Sequence, residues 1–186
     1  MKVPEHIETI RLVLRKPTAA DAGAIYTRYS SDRDVTKYVG WPRHQSIEQT
    51  KAFLAFSETE WNRWPAGPYL IQRQIDGNLL GGTGFAFETP TVAATGYVLA
   101  RDAWGHGYAT EALSAIVVVA RDLGVQRLYA LSHANHQASI RVLEKCGFVL
   151  EGLLSRFADF PNLGSGQLED CLRYAIVPDR PASKEH

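Results

Sequence analysis

The stretch Arg101-Asp102-Ala103-Trp104-Gly105-His106-Gly107-Tyr108-Ala109-Thr110-Glu111-Ala112-Leu113 decides how the chain is to be read. Before it, Thr95 to Ala100 has the character of a strand. After it, Ala109, Leu113, Ile116, Val117 and Ala120 fall on one helical face until Gly124 stops the helix. A strand that feeds a glycine-rich turn and then a helix makes an anion site, because the first N–H groups of a helix lack internal partners and its dipole is positive there. Gly105 and Gly107 carry no Cβ, so a phosphate can approach the backbone closely. A tight connection with no ligand fits the same glycines. Two nucleotide motifs fail against this turn. The Walker A loop ends in Gly-Lys-Ser/Thr, whereas here Gly107 is followed by Tyr108-Ala109-Thr110. The dinucleotide fingerprint needs a third glycine near Thr110 and an acidic residue about 20 positions on, and Tyr129 to Leu131 supply none.

Working outward, Ile10 to Leu14 reads as a first strand. Thr18 and Asp21 stand in capping-box spacing ahead of a helix whose apolar side is Ala22, Ile25, Tyr26 and Tyr29. A charged and aromatic loop, Ser30 to Arg43, leads to a second capping box, Ser46 with Gln49, and a helix carrying Phe53, Leu54 and Trp61. Tyr69 to Ile75 and Leu79 to Phe87 flank Asp76-Gly77-Asn78 as a hairpin. On the C-terminal side, Arg127 to Ser132 is a strand, Asn135 caps a helix with Ile140 and Leu143 inward, and Gly147 precedes a strand from Phe148 to Glu151. Phe157 to Gln167 is a loop, Glu169 to Val177 the last strand, and Pro178 to His186 a polar tail. The order is β-α-α-β-β-β-α-β-α-β-β, without internal repeats, so residues 1–177 are expected to form one α/β (α+β) domain.

The chain has 186 residues, with 20 Lys plus Arg against 20 Asp plus Glu, and this zero net charge excludes a protein that neutralises many phosphates of a nucleic acid. Cys146 and Cys171 are too few for a disulfide framework and lack metal-ligand spacing; they read as small buried hydrophobes. The longest apolar stretch, Ala112 to Ala120, is far short of the roughly 20 residues of a membrane span. Glu5, Glu8 and Arg11 interrupt the place where a secretory signal would need an apolar run. A soluble, cytoplasmic protein is expected, with no metal, nucleic-acid or membrane partner.

The Trp104 to Ala112 segment resembles the acetyl-CoA signature of the GNAT superfamily of N-acetyltransferases, and especially its RimJ/RimL branch. The wider pattern is Gln or Arg, two residues, Gly, one residue, then Gly or Ala. Trp104, Gly107 and Ala109 hold these places, and a tryptophan in the first is the branch's own variant. Ser139 to Phe148 is similar to the branch's Asn-x-x-Ser helix with its Leu-Glu-Lys-x-Gly-Phe ending. The branch asparagine is His136 here, with Asn135 one place earlier. Ile10 to Arg15 and Asp170 to Tyr174 also fit the branch.

The resemblance implies a mixed central sheet with helices on both faces, splayed between its fourth and fifth strands, Thr95 to Ala100 and Arg127 to Ser132. It implies acetyl-CoA as cosubstrate. Amides of Gly105, His106, Gly107, Ala109 and Thr110, beside Trp104, would hold the pyrophosphate, and the Thr110 hydroxyl would either join them or cap the helix. The main chain of Val98, Leu99 and Ala100 would pair with the pantetheine, which Asn135 or His136 would meet. An amide near Val98 or Leu99 would serve the oxyanion. Ser139 would protonate the leaving thiolate, since Leu143 stands where many superfamily members have a tyrosine; a serine bonding back to its own helix is the competing role.

An α-amine of pKa near 8 is about 10% neutral at pH 7 and a lysine only about 0.04%, so an N-terminal acceptor asks less of a base. Ala94 and Thr95 stand where the wider superfamily often has a Glu. Asp170 is the leading candidate base, with Glu169, Glu88 and His133 behind it. Tyr38, Trp41, Trp61 and Trp64 are candidates for the acceptor groove, Trp61 more as core. The Phe157 to Gln167 loop is expected to move on substrate entry. Most consistent with these residues is acetyl transfer to a protein or peptide N-terminus by a monomer or homodimer. A small-amine acetyltransferase, which an acidic groove would favour, and an acyl-CoA-binding module without turnover are the alternatives.

Overall fold

The computed structural model describes residues 5–177, and the expected tail, 178–186, lies outside them. Eight strands form one sheet in the order β1-β2-β3-β4-β5-β6-β8-β7. The strands are β1 (His6–Glu8), β2 (Leu12–Arg15), β3 (Pro68–Arg73), β4 (Leu79–Thr89), β5 (Val92–Leu99), β6 (Arg127–His133), β7 (Val149–Ala158) and β8 (Glu169–Ile176). Every neighbouring pair is antiparallel except β5 and β6. The helices are α1 (Ala22–Ile25), which continues as one wide π turn over Tyr26–Ser30, then α2 (Ile47–Arg63), α3 (Tyr108–Asp122) and α4 (Gln137–Lys145).

Strand alternation sorts the side chains into two cores. Tyr69, Ile71, Leu99 and Leu128 join Leu113, Ile116 and Leu143 on the face covered by α3 and α4. Leu70, Leu79 and Ala100 join Ile25, Tyr29 and Leu54 on the face covered by α1 and α2. Helices therefore lie on both faces, as expected. Cys171 is buried and Cys146 half-buried, and both are free thiols. Among the described residues no helix is long and apolar enough to cross a membrane, and no group of side chains could hold a metal ion.

Several boundaries differ from expectation for local reasons. The first strand starts two residues late because Ile10 lies in a turn and is 90% exposed, and a short edge strand, β1, precedes it. The hairpin between β4 and β5 draws β5 back to Val92, with Phe87 opposite Ala93. The second capping box is displaced by one residue, because the Gln49 side-chain oxygen Oε1 accepts the Gln45 amide at 2.6 Å rather than that of Ser46. In the first, the Asp21 carboxylate accepts the Thr18 amide at 2.7 Å, as the spacing predicts. The sheet opens between β5 and β6: the pairing runs from Val92↔Arg127 only to Ala94↔Tyr129. Beyond that point the two strands diverge, which is the splay expected between Thr95 to Ala100 and Arg127 to Ser132.

Candidate active site

At the head of α3, Gly105 and Gly107 adopt φ of 78° and 79°, a left-handed conformation that side-chain-bearing residues reach only at a cost. Gly107 is the N-cap of α3 and offers no side chain to it. The first bond of the helix runs from the Glu111 amide to the Gly107 carbonyl at 3.1 Å, so the amides of Tyr108, Ala109 and Thr110 precede the ladder and remain free for a ligand. A Cβ built on Gly105 meets nothing within 4 Å, and one on Gly107 meets only the Arg11 guanidinium at 3.5 Å. The cradle is open where a phosphate would sit, and it fits one. Thr110 is the third residue of α3, so its hydroxyl lies beside these amides.

Arg11 braces this turn from the other end of the chain. Its guanidinium donates to the His106 carbonyl at 2.9 Å and to the Glu111 carboxylate at 2.7 Å, and lies over the Tyr108 ring at 4.7 Å. The same carboxylate accepts the Thr9 hydroxyl and the Arg11 amide. Partial burial by itself would raise the Glu111 carboxyl, but the hydrogen bonds from Thr9 and Arg11 outweigh it and hold the group below its ordinary range.

Where β5 leaves β6, a cavity of about 1080 Å³ opens. Of the expected cofactor residues, Val98, Leu99, Trp104, Gly105, Gly107, Ala109, Thr110 and His136 line it together with Ser139; Ala100, His106 and Asn135 do not. Ala100 is a correction to the expected pantetheine edge: its amide is already given to the Leu80 carbonyl at 2.7 Å. Because an antiparallel ladder bonds alternate residues, Val98 also turns its backbone toward β4, where it pairs with Gly82, and the groups facing the gap are those of Tyr97 and Leu99. The Leu99 carbonyl accepts Trp104 Nε1 at 2.9 Å, which leaves its amide for a ligand. Asn135 is a correction as well. Its amide is held by His133 Nδ1 at 3.0 Å, so the helix begins one residue later, with His136 as N-cap, and Asn135 points to solvent.

Ser139 and Tyr97 line the cavity side by side. Burial raises the Tyr97 phenol and the neighbouring Ser139 hydroxyl offsets only part of that, so it stays protonated at neutral pH. His136 stacks on Tyr38 with ring centroids 4.8 Å apart, and burial, then His133 and Lys37, hold its imidazole below the ordinary histidine range. A neutral imidazole thus sits one helical turn from Ser139.

The expected bases lie elsewhere. The Asp170 carboxylate accepts the Arg156 amide at 2.8 Å, at the bulge where β7 slips against β8 between Leu154 and Ala158, and does not line the cavity. Arg156 has φ of 46°, so Asp170 fastens a left-handed residue. Glu88 is engaged by the Tyr129 hydroxyl, and Glu169 lies 3.9 Å from His133 Nε2. His133 is 5% exposed and packed between Tyr38 and Phe160. Since its Nδ1 accepts from Asn135, the proton resides on Nε2.

Of the four groove aromatics, Tyr38 and Trp41 line the cavity. Trp61 is core, packed edge-on against Tyr69, and Trp64 stacks on Phe87. The loop before β8 is anchored in its middle. Phe160 is buried, and the Asn162 amide group donates to the carbonyls of Thr36 and Trp41 at 2.8 and 2.9 Å while its oxygen accepts the Arg43 amide at 2.7 Å. Sequence reasoning missed Tyr97 and Arg11 as site residues. Tyr97 shares its strand face with Leu99, and alternation alone could have found it. Arg11 meets Glu111 across 100 residues, which no local pattern encodes.

Comparison with known proteins agrees with this geometry. Residues 11–149 match the model of the acetyltransferase (GNAT) domain. The uncharacterised N-acetyltransferase YoaA of Bacillus subtilis is 35% identical over 94% of this chain and 97% of its own. Among solved structures, RimL, a ribosomal L7/L12 α-N-protein acetyltransferase in complex with coenzyme A, superposes with a TM-score of 0.83 at 24% identity, covering 95% of this chain and all of that one (100%). The microcin C7 self-immunity acetyltransferase MccE, in complex with acetyl-CoA and AMP, gives 0.82 at 22%, covering 95% and 98%. The open sheet, the glycine turn and this matched span together place the chain in the GNAT family of acetyltransferases.

Proposed function

We propose that the protein transfers the acetyl group of acetyl-CoA to the α-amine at the N-terminus of a protein or peptide. The observation that carries the choice of acceptor is electrostatic. Among the described residues the cavity lining contains one carboxylate, Asp34, and that one is ion-paired with Arg101. Polyamines and aminoglycosides carry several positive charges and would need several unpaired carboxylates; an N-terminal amine, neutral when it reacts, needs none. The likeness to RimL, whose own acceptor is a ribosomal-protein N-terminus, supports the same reading.

The free amides of Tyr108, Ala109 and Thr110 would hold the pyrophosphate, with Gly105 and Gly107 keeping the approach clear and Arg11 fixing the turn. The pantetheine arm would lie along Tyr97 and Leu99 as an added strand and pass His136 at the start of α4. The Leu99 amide donates to the acetyl carbonyl oxygen as negative charge gathers there. The neutral amine attacks the carbonyl carbon, the C–N bond forms, the C–S bond breaks, and sulfur leaves with the electron pair. Ser139 gives that sulfur its proton and is resupplied through Tyr97. The neutral His136 accepts the surplus proton of the amine, directly or through water.

Incubating a panel of peptides of defined N-terminus with acetyl-CoA, with release of free CoA and mass-spectrometric location of the acetyl group, tests this. Acetylation at the α-amine is the expected result. Turnover of spermidine or an aminoglycoside with no peptide acetylated would overturn it.

A further inference from the structure

We infer that the cavity contains a subsite for a large apolar or aromatic side chain adjacent to the reacting amine; this rests on reading the cavity as the place of acetyl transfer. One wall of the cavity is assembled from two segments distant in sequence from the acetyl-CoA turn: Val35, Val39 and Trp41 of the loop before α2, and Phe53 and Phe56 of α2. Phe53 and Phe56 stand three apart, so both project from one side of the helix toward the same space. Phe53 rests on the second core, while Phe56 is 55% exposed at the rim. One exposed phenylalanine needs no explanation. Two phenylalanines, a tryptophan and two valines that converge on one cavity, continuous with Ser139 and Leu99, do.

Polar groups on this wall are already occupied. The His44 imidazole pairs through Nδ1 with the Thr50 hydroxyl at 2.8 Å and packs against Trp41. Asp34 is bound to Arg101, and Lys37 lies over the Tyr38 ring at 4.9 Å. No unpaired carboxylate is there to receive a cationic side chain, while an apolar one would displace water from aromatic surface. The cavity runs without a break from the Gly105 to Thr110 turn past Ser139 to this wall, so a side chain seated here would adjoin the acetyl end of the pantetheine arm. The loop that forms this wall is held by Asn162, so the subsite exists before the acceptor arrives.

The test compares kcat/KM for peptides identical except for a first residue of Phe, Leu, Ser, Asp or Lys, alongside the free amines phenethylamine and spermidine. Phe and Leu are expected to exceed Ser, Asp and Lys by about tenfold or more, the scale on which an apolar pocket discriminates. Phe56→Ala and, separately, Trp41→Ala should compress the Phe-to-Ser ratio toward one. Equal values across the five first residues, or a preference for Ser, Asp or Lys, would overturn the subsite and leave N-terminal acetylation standing. Turnover of phenethylamine over spermidine with no peptide acetylated would retain the subsite and overturn the N-terminal acceptor. A Phe-to-Ser ratio unmoved by both variants would overturn the assignment of this wall.

Discussion

Ser139 enters the cleft from the first turn of α4, and Tyr97 lines the same cleft from β5. In the proposed reaction the two hydroxyls would hold a proton where sulfur leaves. Replacing Ser139 by Ala should lower kcat by about a hundredfold, the range of a positioned general acid, with the KM for acetyl-CoA within about twofold. Tyr97→Phe should lower kcat by about tenfold, because the serine remains but its partner is gone. Steady-state kinetics of both variants checks this; a KM effect without a kcat effect would reduce the pair to packing. Asp170 separates from them. Its carboxylate secures the Arg156 amide, so Asp170→Ala should keep kcat while costing about 1–2 kcal/mol of stability, read as a lower midpoint in urea. The acidic residue at 170 was legible in the chain, but the slip of β7 against β8 that occupies it was not. A bulge is fixed by which residues pair across strands, and nothing in the local run from Leu154 to Ala158 states that pairing.

At the scale of elements, what could be read in advance is what neighbours in sequence determine. The strand-turn-helix around Gly105 and Gly107 follows from glycine placement and apolar period, and both glycines indeed take φ near 80° (78° and 79°). The splay did not follow from the strands themselves. It requires β6 to leave β5 after Ala94, a tertiary event reached only through the family likeness. Gly81 belongs to the same hidden class: a Cβ there would lie 1.9 Å from the Val98 carbonyl, so β4 approaches β5 more closely than any side chain allows. The turn itself gives the sharper test. Gly107→Val places a branched side chain in a left-handed conformation and in the path of a phosphate. Titration calorimetry should show CoA binding weakened by at least about a hundredfold, while the circular dichroism spectrum keeps its helix and sheet content, since the surroundings of Gly107 are open. Unchanged affinity would move the cofactor away from this turn.

Across the whole molecule, the zero net charge conceals groups whose titration is tied to folding. Three sets act in three pH windows. Burial lowers His44, and burial with His133 and Lys37 lowers His136, so between pH 6.5 and their folded pKa values the unfolded chain binds protons that the folded chain refuses. Stability therefore falls as pH drops below about 6.5. Asp21 and Glu111 are held below the ordinary carboxylate range by hydrogen bonds from Arg15 and Thr18 and from Thr9 and Arg11, which outweigh burial, and Asp76 is brought to about 2 by Arg73. Their contribution is complete above about pH 4 to 4.5 and is lost as pH falls through their lowered folded pKa values, with the fully exposed Asp76 adding little because solvent screens it. Burial raises Tyr29 and Tyr97, so their neutral form stabilises the fold until the unfolded phenols ionise near pH 10. Burial raises the Cys146 and Cys171 thiols in the same sense, so the thermal midpoint should be level from about pH 7 to 8.5, decline gently below 6.5, steepen below about 4, and decline above about 8.5 as thiols and then phenols of the unfolded chain ionise. The gentle acid limb isolates the histidines: His44→Gln with His136→Gln should flatten it between pH 6.5 and 5 without altering the steep region below. A limb that survives both substitutions would place the acid-sensitive groups outside the cavity.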